Sequence, residues 1–462
     1  MTRIRFLAAV LSLAASPAAA QSLLGDPVDV ADDFHRLDPL YFVAARVTRF
    51  DPTTGRGMLQ WDRYARVPSF NFEKLDPGLS RAPGNEFPGT EYDRDPSLPF
   101  AIDFVSARTV RLRFSTRAVP IDSMRDGDEL MLAGPVPNDR SWRAQSTDSA
   151  VTYTSAFGSV RLVRNPWSLE IRDAAGRLLT RTQRTGQPAS YYPYVPFSFV
   201  RRARDVGRST AATFELAPDE HVYGMGESFT RLDKRGQRIV AYLRDAMGAQ
   251  ARWQYKAVPF FVSSRGYGMF VHTSAPVTFD VGAEYDAHHT IYTGDELLDL
   301  FVFLGDPKDV LTEYTALTGR SPVPPLWSFG LWMSRITYNS EAQVRDVARK
   351  LRAYRVPADV LHLDTGWFET DWRGDYRFST TRFTDPAAMI RDLKRDGFRV
   401  SLWQYTYFTP KNALWNACAS CATRTSRFCP ATTRRPGHES ATTRPKVCAG
   451  PLPPSSVSAP NT

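Results

Sequence analysis

At 462 residues the chain is long enough for two or three domains with cores of their own. Aromatic side chains are 12% of it, which suits either a large core or sugar-binding surfaces, and the formal net charge is +9. The charge describes no basic face. Residues 417–462 contribute a net +5 and the first twenty residues +2, so the stretch 21–416 is near +2. Nucleic acid as a partner is excluded on that ground.

Residues 1–20 read as a secretory signal peptide. Arg3 and Arg5 form its positive end, Phe6 to Ala15 its apolar stretch, and Ala18, Ala19 and Ala20 its small-residue cleavage site. The apolar run is too short to cross a bilayer, and no later run approaches the length needed, so no membrane insertion is expected. A buried N-terminal helix is the alternative. The signal implies export, to a periplasm or beyond.

Residues 21–320 read as an N-terminal β-sandwich domain. Short strand-like runs recur between turn signals, as at Thr109–Phe114, Ser159–Val163, Phe260–Ser263, Gly268–His272 and Leu300–Phe303. Helical periodicity is scarce there.

A proline-rich hinge, Ser321-Pro-Val-Pro-Pro325, opens a second region over 321–416. Here strand-like and helical patterns alternate. A short apolar run at Ser328–Met333 precedes an amphipathic stretch, Glu341–Tyr354, whose Val344, Val347 and Leu351 share one helix face. Ala358–Leu363 is the next strand. Pro386–Asp396 is the next helix, with Pro386 in its first turn and Gly397 stopping it, and Arg399–Trp403 is a third strand. Three βα units are the opening of a parallel α/β structure, most simply an incomplete (β/α)8 TIM barrel.

From Ala417 the character changes. All four cysteines (Cys418, Cys421, Cys429, Cys448) fall in residues 417–462, amid Thr, Arg, Pro and Ser with a single aromatic, Phe428. Such a segment has little apolar surface to bury and is expected to be disordered. It begins inside what reads as a helix, so a shift of reading frame is the expectation. Cys418 and Cys421 match a CxxC spacing, but neither a second pair nor a following histidine pair completes a metal or redox site; His438 stands alone. A native, disulfide-linked cap is the alternative.

In α/β barrels chemistry collects at the carboxyl ends of the strands. Two strand ends are loaded with suitable groups: His362-Leu-Asp-Thr-Gly-Trp-Phe-Glu-Thr-Asp-Trp372 and Leu402-Trp-Gln-Tyr-Thr-Tyr407. A carboxylate beside tryptophans suits a pyranose, whose vicinal hydroxyls donate to the acid while its C–H face lies on the ring. Equally, Asp364 could cap the following loop and the tryptophans could be core.

The stretch Pro324-Pro-Leu-Trp-Ser-Phe-Gly-Leu-Trp-Met-Ser334 resembles the opening of the catalytic barrel in glycoside hydrolase family 31. So do Leu361-His-Leu-Asp-Thr-Gly-Trp367, Phe383-Thr-Asp-Pro-Ala-Ala-Met-Ile390 and Gly397-Phe-Arg-Val-Ser-Leu-Trp403. Upstream, Tyr223-Gly-Met-Gly-Glu227 with Lys234-Arg-Gly-Gln237 is similar to the signature of that family's galactose-mutarotase-like β-sandwich, although a lone GxG in a β-domain reads as a turn. The resemblance covers about Leu216 to Tyr407 and implies a retaining α-glycosidase of the α-xylosidase or α-glucosidase type, acting on an α-linked oligosaccharide or glycoside without metal or organic cofactor.

Carried onto this sequence, the resemblance makes Asp364 the aspartate that holds the sugar's hydroxyls and Trp403 a wall of the same subsite. Trp367 and Asp371 follow in the loop after the second strand. Glu227 is expected to order the sandwich. The family's nucleophile and acid are aspartates beyond the third strand, in a Lys-Thr-Asp-Phe-Gly-Glu-like segment and after it. No such segment is present, and residues 417–462 contain no aspartate. The expectation is therefore an inactive chain, with a non-catalytic carbohydrate-binding sandwich as the alternative.

Overall fold

The computed structural model describes residues 28–67, 70–71, 74–75, 78–82, 95–124, 131–183, 191–202, 207–243, 254, 256–370, 374 and 376–404. The stretch 1–20 expected to be a signal peptide, Asp371, the cysteines and the whole of 417–462 lie outside the described residues. The chain divides into two units between Ser321 and Pro322.

The first unit is an antiparallel β-sandwich. Its main sheet runs in the order Val222–Glu227, Lys256–Ser263, Tyr267–Val271, Leu297–Leu304, Thr109–Ser115, Ser97–Phe104, Arg56–Val67, Leu40–Asp51, Ser198–Arg201, Arg208–Glu215, His288–Thr293, Val277–Val281 and Gln237–Ala241. The sheet folds over itself, so that Phe261 near one end meets Phe279 near the other at 6.2 Å between ring centres. A second sheet of five strands, from Arg143–Ser146 to Leu178–Arg181, packs on it. Trp167 of that smaller sheet lies 4.8 Å from Phe197 and 5.8 Å from Phe114. These rings sit in one core with Trp61, Phe100 and Phe199.

The strand-like runs read from the sequence are all strands, mostly longer by a residue or more: Thr109–Ser115, Gly158–Arg164, Lys256–Ser263, Tyr267–Val271 and Leu297–Leu304. Among the described residues one α-helix goes beyond the sequence reading, Pro307–Thr318. Its start is well marked, since the Asp306 carboxylate accepts from the N–H groups of Lys308 and Asp309 and Pro307 stands in the first turn. Its apolar face is thin, with only Val310 and Leu317 buried.

The Tyr223–Glu227 motif is a bulged edge strand and not a turn. Gly224, Met225 and Gly226 all have positive φ (115°, 67° and 96°), and pairing with Lys256–Ser263 shifts register between Gly224 and Gly226. Met225 is fully buried, and its carbonyl accepts from Gln254 Nε2 at 2.7 Å. Glu227 is exposed and pairs with Lys256 at 3.3 Å. Lys234 is buried, with Nζ donating to Ser228 Oγ, Thr230 Oγ1 and the Arg231 carbonyl. Burial holds its pKa below the usual lysine range.

The described residues of the second unit form three parallel strands, β1 (Trp332–Arg335), β2 (Val360–Leu363) and β3 (Arg399–Leu402), in the order β1-β2-β3. Between them run α1 (Glu341–Ala353) and α2 (Pro386–Arg395). The front of the apolar run at Ser328–Met333 is a 3-10 turn, Leu326–Phe329, so β1 starts later than the sequence suggests. Ser340 caps α1 by accepting from the Gln343 N–H, while Gln343 Oε1 accepts from Asn339. Asp385 caps α2 through the Ala388 N–H, and Gly397 at φ 82° ends it.

Val344, Val347 and Ala348 of α1 and Met389 and Leu393 of α2 bury against Leu361 and Leu363, with Met333, Val400 and Leu402 partly buried against them. Alternation then places His362 and Ser401 on the other face of the sheet, where His362 Nδ1 and Ser401 Oγ are 3.1 Å apart. At the β1 edge Leu331, Trp332 and Ile336 are exposed. Among the described residues no helix is long and apolar enough to cross a membrane.

Candidate functional site

Parallel register aligns the carboxyl ends of the three strands. Arg335 pairs with Leu363 and Leu363 with Leu402, so the next residues out, Asp364 and Trp403, stand side by side. The ladder continues one step further, because the Trp403 N–H donates to the Leu363 carbonyl at 2.8 Å. By the same alternation Asp364 follows His362, and Trp403 follows Ser401, on the face opposite the helices.

Asp364 does cap the loop. Its Oδ1 accepts from the Thr365 N–H at 2.7 Å and starts a 3-10 turn, Thr365–Trp367. The residue is half-buried, and the cap uses one of its two carboxylate oxygens. Capping and presenting a free acceptor are thus compatible in one side chain.

The two tryptophans differ. Trp367 is 4% exposed, enclosed by Phe368 at 4.3 Å and Phe378 at 5.0 Å between ring centres. It is core, and it reaches the site only through Nε1, which donates to the Trp403 carbonyl at 2.8 Å. Trp403 is half-buried and meets Phe368 edge-on at 6.2 Å. Asp371 lies outside the described residues.

Two supports carry no sequence signal. Thr337 Oγ1, at the end of β1, accepts from the Gly366 N–H at 2.7 Å. A Cβ at Gly366 would lie 2.4 Å from that oxygen, so the loop needs glycine for close approach. Arg382 donates to the carbonyls of Gly366 (3.2 Å) and Phe368, bracing the same loop. Among the described residues no group of three His, Cys, Asp or Glu side chains is placed to hold a metal ion.

Residues 99–280 match the model of the glycosyl hydrolase 31 N-terminal galactose mutarotase-like domain, and residues 321–435 match that of the glycosyl hydrolases family 31 TIM-barrel domain. Both domains belong to glycoside hydrolase family 31. The barrel match runs into the cysteine-bearing stretch. Among curated family 31 relatives, the chain is 31% identical over 245 residues to the α-xylosidase XylQ of Lactiplantibacillus pentosus, covering 52% of this chain and 31% of that protein. It is 32% identical over 265 residues to α-glucosidase 2 of Bacillus thermoamyloliquefaciens, covering 55% and 31%. The chain therefore spans about a third of the length of these relatives.

Solved family 31 structures share the fold. The Flavobacterium johnsoniae dextranase complexed with isomaltotriose superposes with a TM-score of 0.64 at 20% identity, over 83% of this chain and 41% of that one. An α-xylosidase from a soil metagenome, complexed with xylose, gives 0.58 at 20% identity, over 76% and 50%. The sandwich is thus the family's mutarotase-like domain, and β1 to β3 are the start of its TIM barrel.

Proposed function

We propose that Asp364 and Trp403 form the sugar-holding end of a retaining α-glycosidase subsite of the α-xylosidase or α-glucosidase type. The observation that carries this reading is their side-by-side position at the carboxyl ends of adjacent parallel strands. The free carboxylate oxygen of Asp364 accepts from sugar hydroxyls, and the Trp403 ring takes the C–H surface. Trp367 is a positioning residue. Asp371 is assigned to the same loop on sequence alone. The ligand is an α-linked oligosaccharide or glycoside, in keeping with the named activities of the relatives.

Retaining hydrolysis needs two carboxyl groups about 5–5.5 Å apart, one as nucleophile and one as acid. Beyond Asp396 the sequence offers one carboxylate side chain, Glu439. The 462-residue polypeptide taken by itself holds sugar and does not turn it over, because members of one catalytic unit fail together. The Arg3, Arg5 and Ala18–Ala20 pattern supports export of this polypeptide.

The test uses the purified 462-residue chain. D-xylose or D-glucose is expected to change tryptophan fluorescence saturably, and Asp364→Ala is expected to abolish the change. Aryl α-xyloside and α-glucoside are expected to release no phenol. An unchanged response in Asp364→Ala would overturn the site; reproducible phenol release would overturn the inactivity.

A further inference from the structure

The sandwich contains a pocket of about 250 Å³ walled by Tyr194, Tyr285, Tyr292 and His288, with Asp280 and Glu284 also in its lining. A pocket this small, below the roughly 300–1,000 Å³ that holds a drug-sized ligand, admits a single ring. It is built by the hairpin of Val277–Val281 and His288–Thr293 and by the segment before Ser198–Arg201.

The imidazole is the centre of the wall. The His288 main-chain N–H donates to the Tyr285 carbonyl at 2.9 Å, which folds the turn back so that the Tyr285 ring stacks on the imidazole at 4.7 Å and 16°. Tyr194 meets the same imidazole edge-on at 4.5 Å. His288 is 6% exposed, and its Nδ1 has no hydrogen-bond partner among the described residues. Burial lowers its pKa to about 4, so the ring is neutral near pH 7. The Nδ1 atom is itself enclosed, so the imidazole serves the pocket as a neutral wall flanked by the two tyrosines.

The carboxylates are already balanced. Arg238 contacts Asp280 at 3.2 Å and Glu284 at 2.8 Å, and His35 Nε2 lies 3.0 Å from Glu284. A pocket for an organic cation would leave acid unpaired. This one pairs it, and keeps oxygen acceptors, a neutral imidazole and tyrosine faces. Tyr285 remains 44% exposed, with one ring face against His288.

We infer that this pocket is an accessory site for one uncharged pyranose unit, with a sugar C–H face against tyrosine and its hydroxyls on the carboxylate oxygens. The site is independent of Asp364 and Trp403, so the failure of either leaves the other standing.

The test follows the His288 ring resonances in the full 462-residue chain carrying isotope-labelled histidine, assigned by loss of signal in His288→Gln. Methyl α-D-glucoside and D-xylose are expected to shift them saturably, with a Kd on the order of millimolar for so small a ligand. Tyr285→Ala is expected to weaken the titration about fivefold, the scale of one lost aromatic contact, and Asp364→Ala to leave it unchanged. Tetramethylammonium is expected to shift nothing. Silence of the His288 signals toward both sugars, a response to tetramethylammonium alone, or an undiminished titration in a folded Tyr285→Ala would each overturn the inference. The titration of the unmodified chain decides the matter even where a variant does not fold.

Discussion

Trp367 Nε1 donates a hydrogen bond of 2.8 Å to the main-chain carbonyl of Trp403, so the loop leaving β2 is tied to the end of β3. Replacing the indole by phenylalanine keeps most of the packing and removes this bond. Trp367→Phe is expected to destabilise the second unit by about 1 kcal/mol in urea unfolding, the net worth of one such bond. It should also weaken the sugar-dependent fluorescence change, because the carbonyl anchor of Trp403 is lost. Unaltered binding in a measurably destabilised variant would mean that Trp403 needs no such anchor.

Asp364→Asn separates capping from sugar binding. Asparagine keeps an oxygen that can accept from the Thr365 N–H, so stability should change by less than about 0.5 kcal/mol. The charge-assisted bonds to hydroxyls are lost, and affinity for xylose or glucose is expected to fall about tenfold or more. Equal binding by the two forms, measured by tryptophan fluorescence, would reduce Asp364 to a loop cap.

Gly226→Ala tests the bulged strand. The new Cβ would lie 2.3 Å from the Lys256 carbonyl oxygen and 2.7 Å from the Val258 nitrogen, at a φ of 96° that alanine rarely adopts. Both obstacles are backbone atoms of the neighbouring strand Lys256–Ser263, so the edge strand must separate from it. A loss of at least about 2 kcal/mol in sandwich stability is expected, combining strain with disrupted pairing.

Acid sensitivity of the sandwich should trace to buried histidine. His289 is packed 4.6 Å from Phe261, its Nε2 has no partner among the described residues, and burial lowers its pKa to about 3. Unfolded, it titrates near the ordinary value of about 6.5. Between those values the unfolded chain binds the extra proton, so stability falls as pH drops from about 6.5 toward 3, by about 1.4 kcal/mol per pH unit for this residue. His289→Leu is expected to reduce the difference in urea midpoint between pH 7 and pH 5, the remainder coming from His288, whose pKa burial lowers to about 4. An unchanged pH dependence would place the acid lability elsewhere.

Periodicity was the legible part of this molecule. Short strand-like runs between turn signals marked Thr109–Phe114 and Leu300–Phe303, and the spacing of Val344, Val347 and Leu351 marked α1, because burial of one helix face writes itself into local order. The helix Pro307–Thr318 escaped, since two buried residues seven apart make too faint a face. The Gly-Met-Gly motif resembles the sandwich signature but by itself leaves a turn open, because glycine records a need for positive φ without saying whether a turn or a bulge supplies it.

The sequence by itself determined the two-part organisation, the residue types at the barrel strand ends and the identity of the family. Tertiary structure alone decided that Trp367 is core while Trp403 is half-buried, that Asp364 caps a turn with one oxygen, and that Thr337 and Arg382 hold the loop. It alone paired Thr109–Ser115 with Leu297–Leu304 and gathered Tyr194, Tyr285 and His288 around one pocket. The physical reason is the same in each case. Local pattern reports which face of an element is buried, whereas the partner across that face is chosen by packing between segments far apart in the chain.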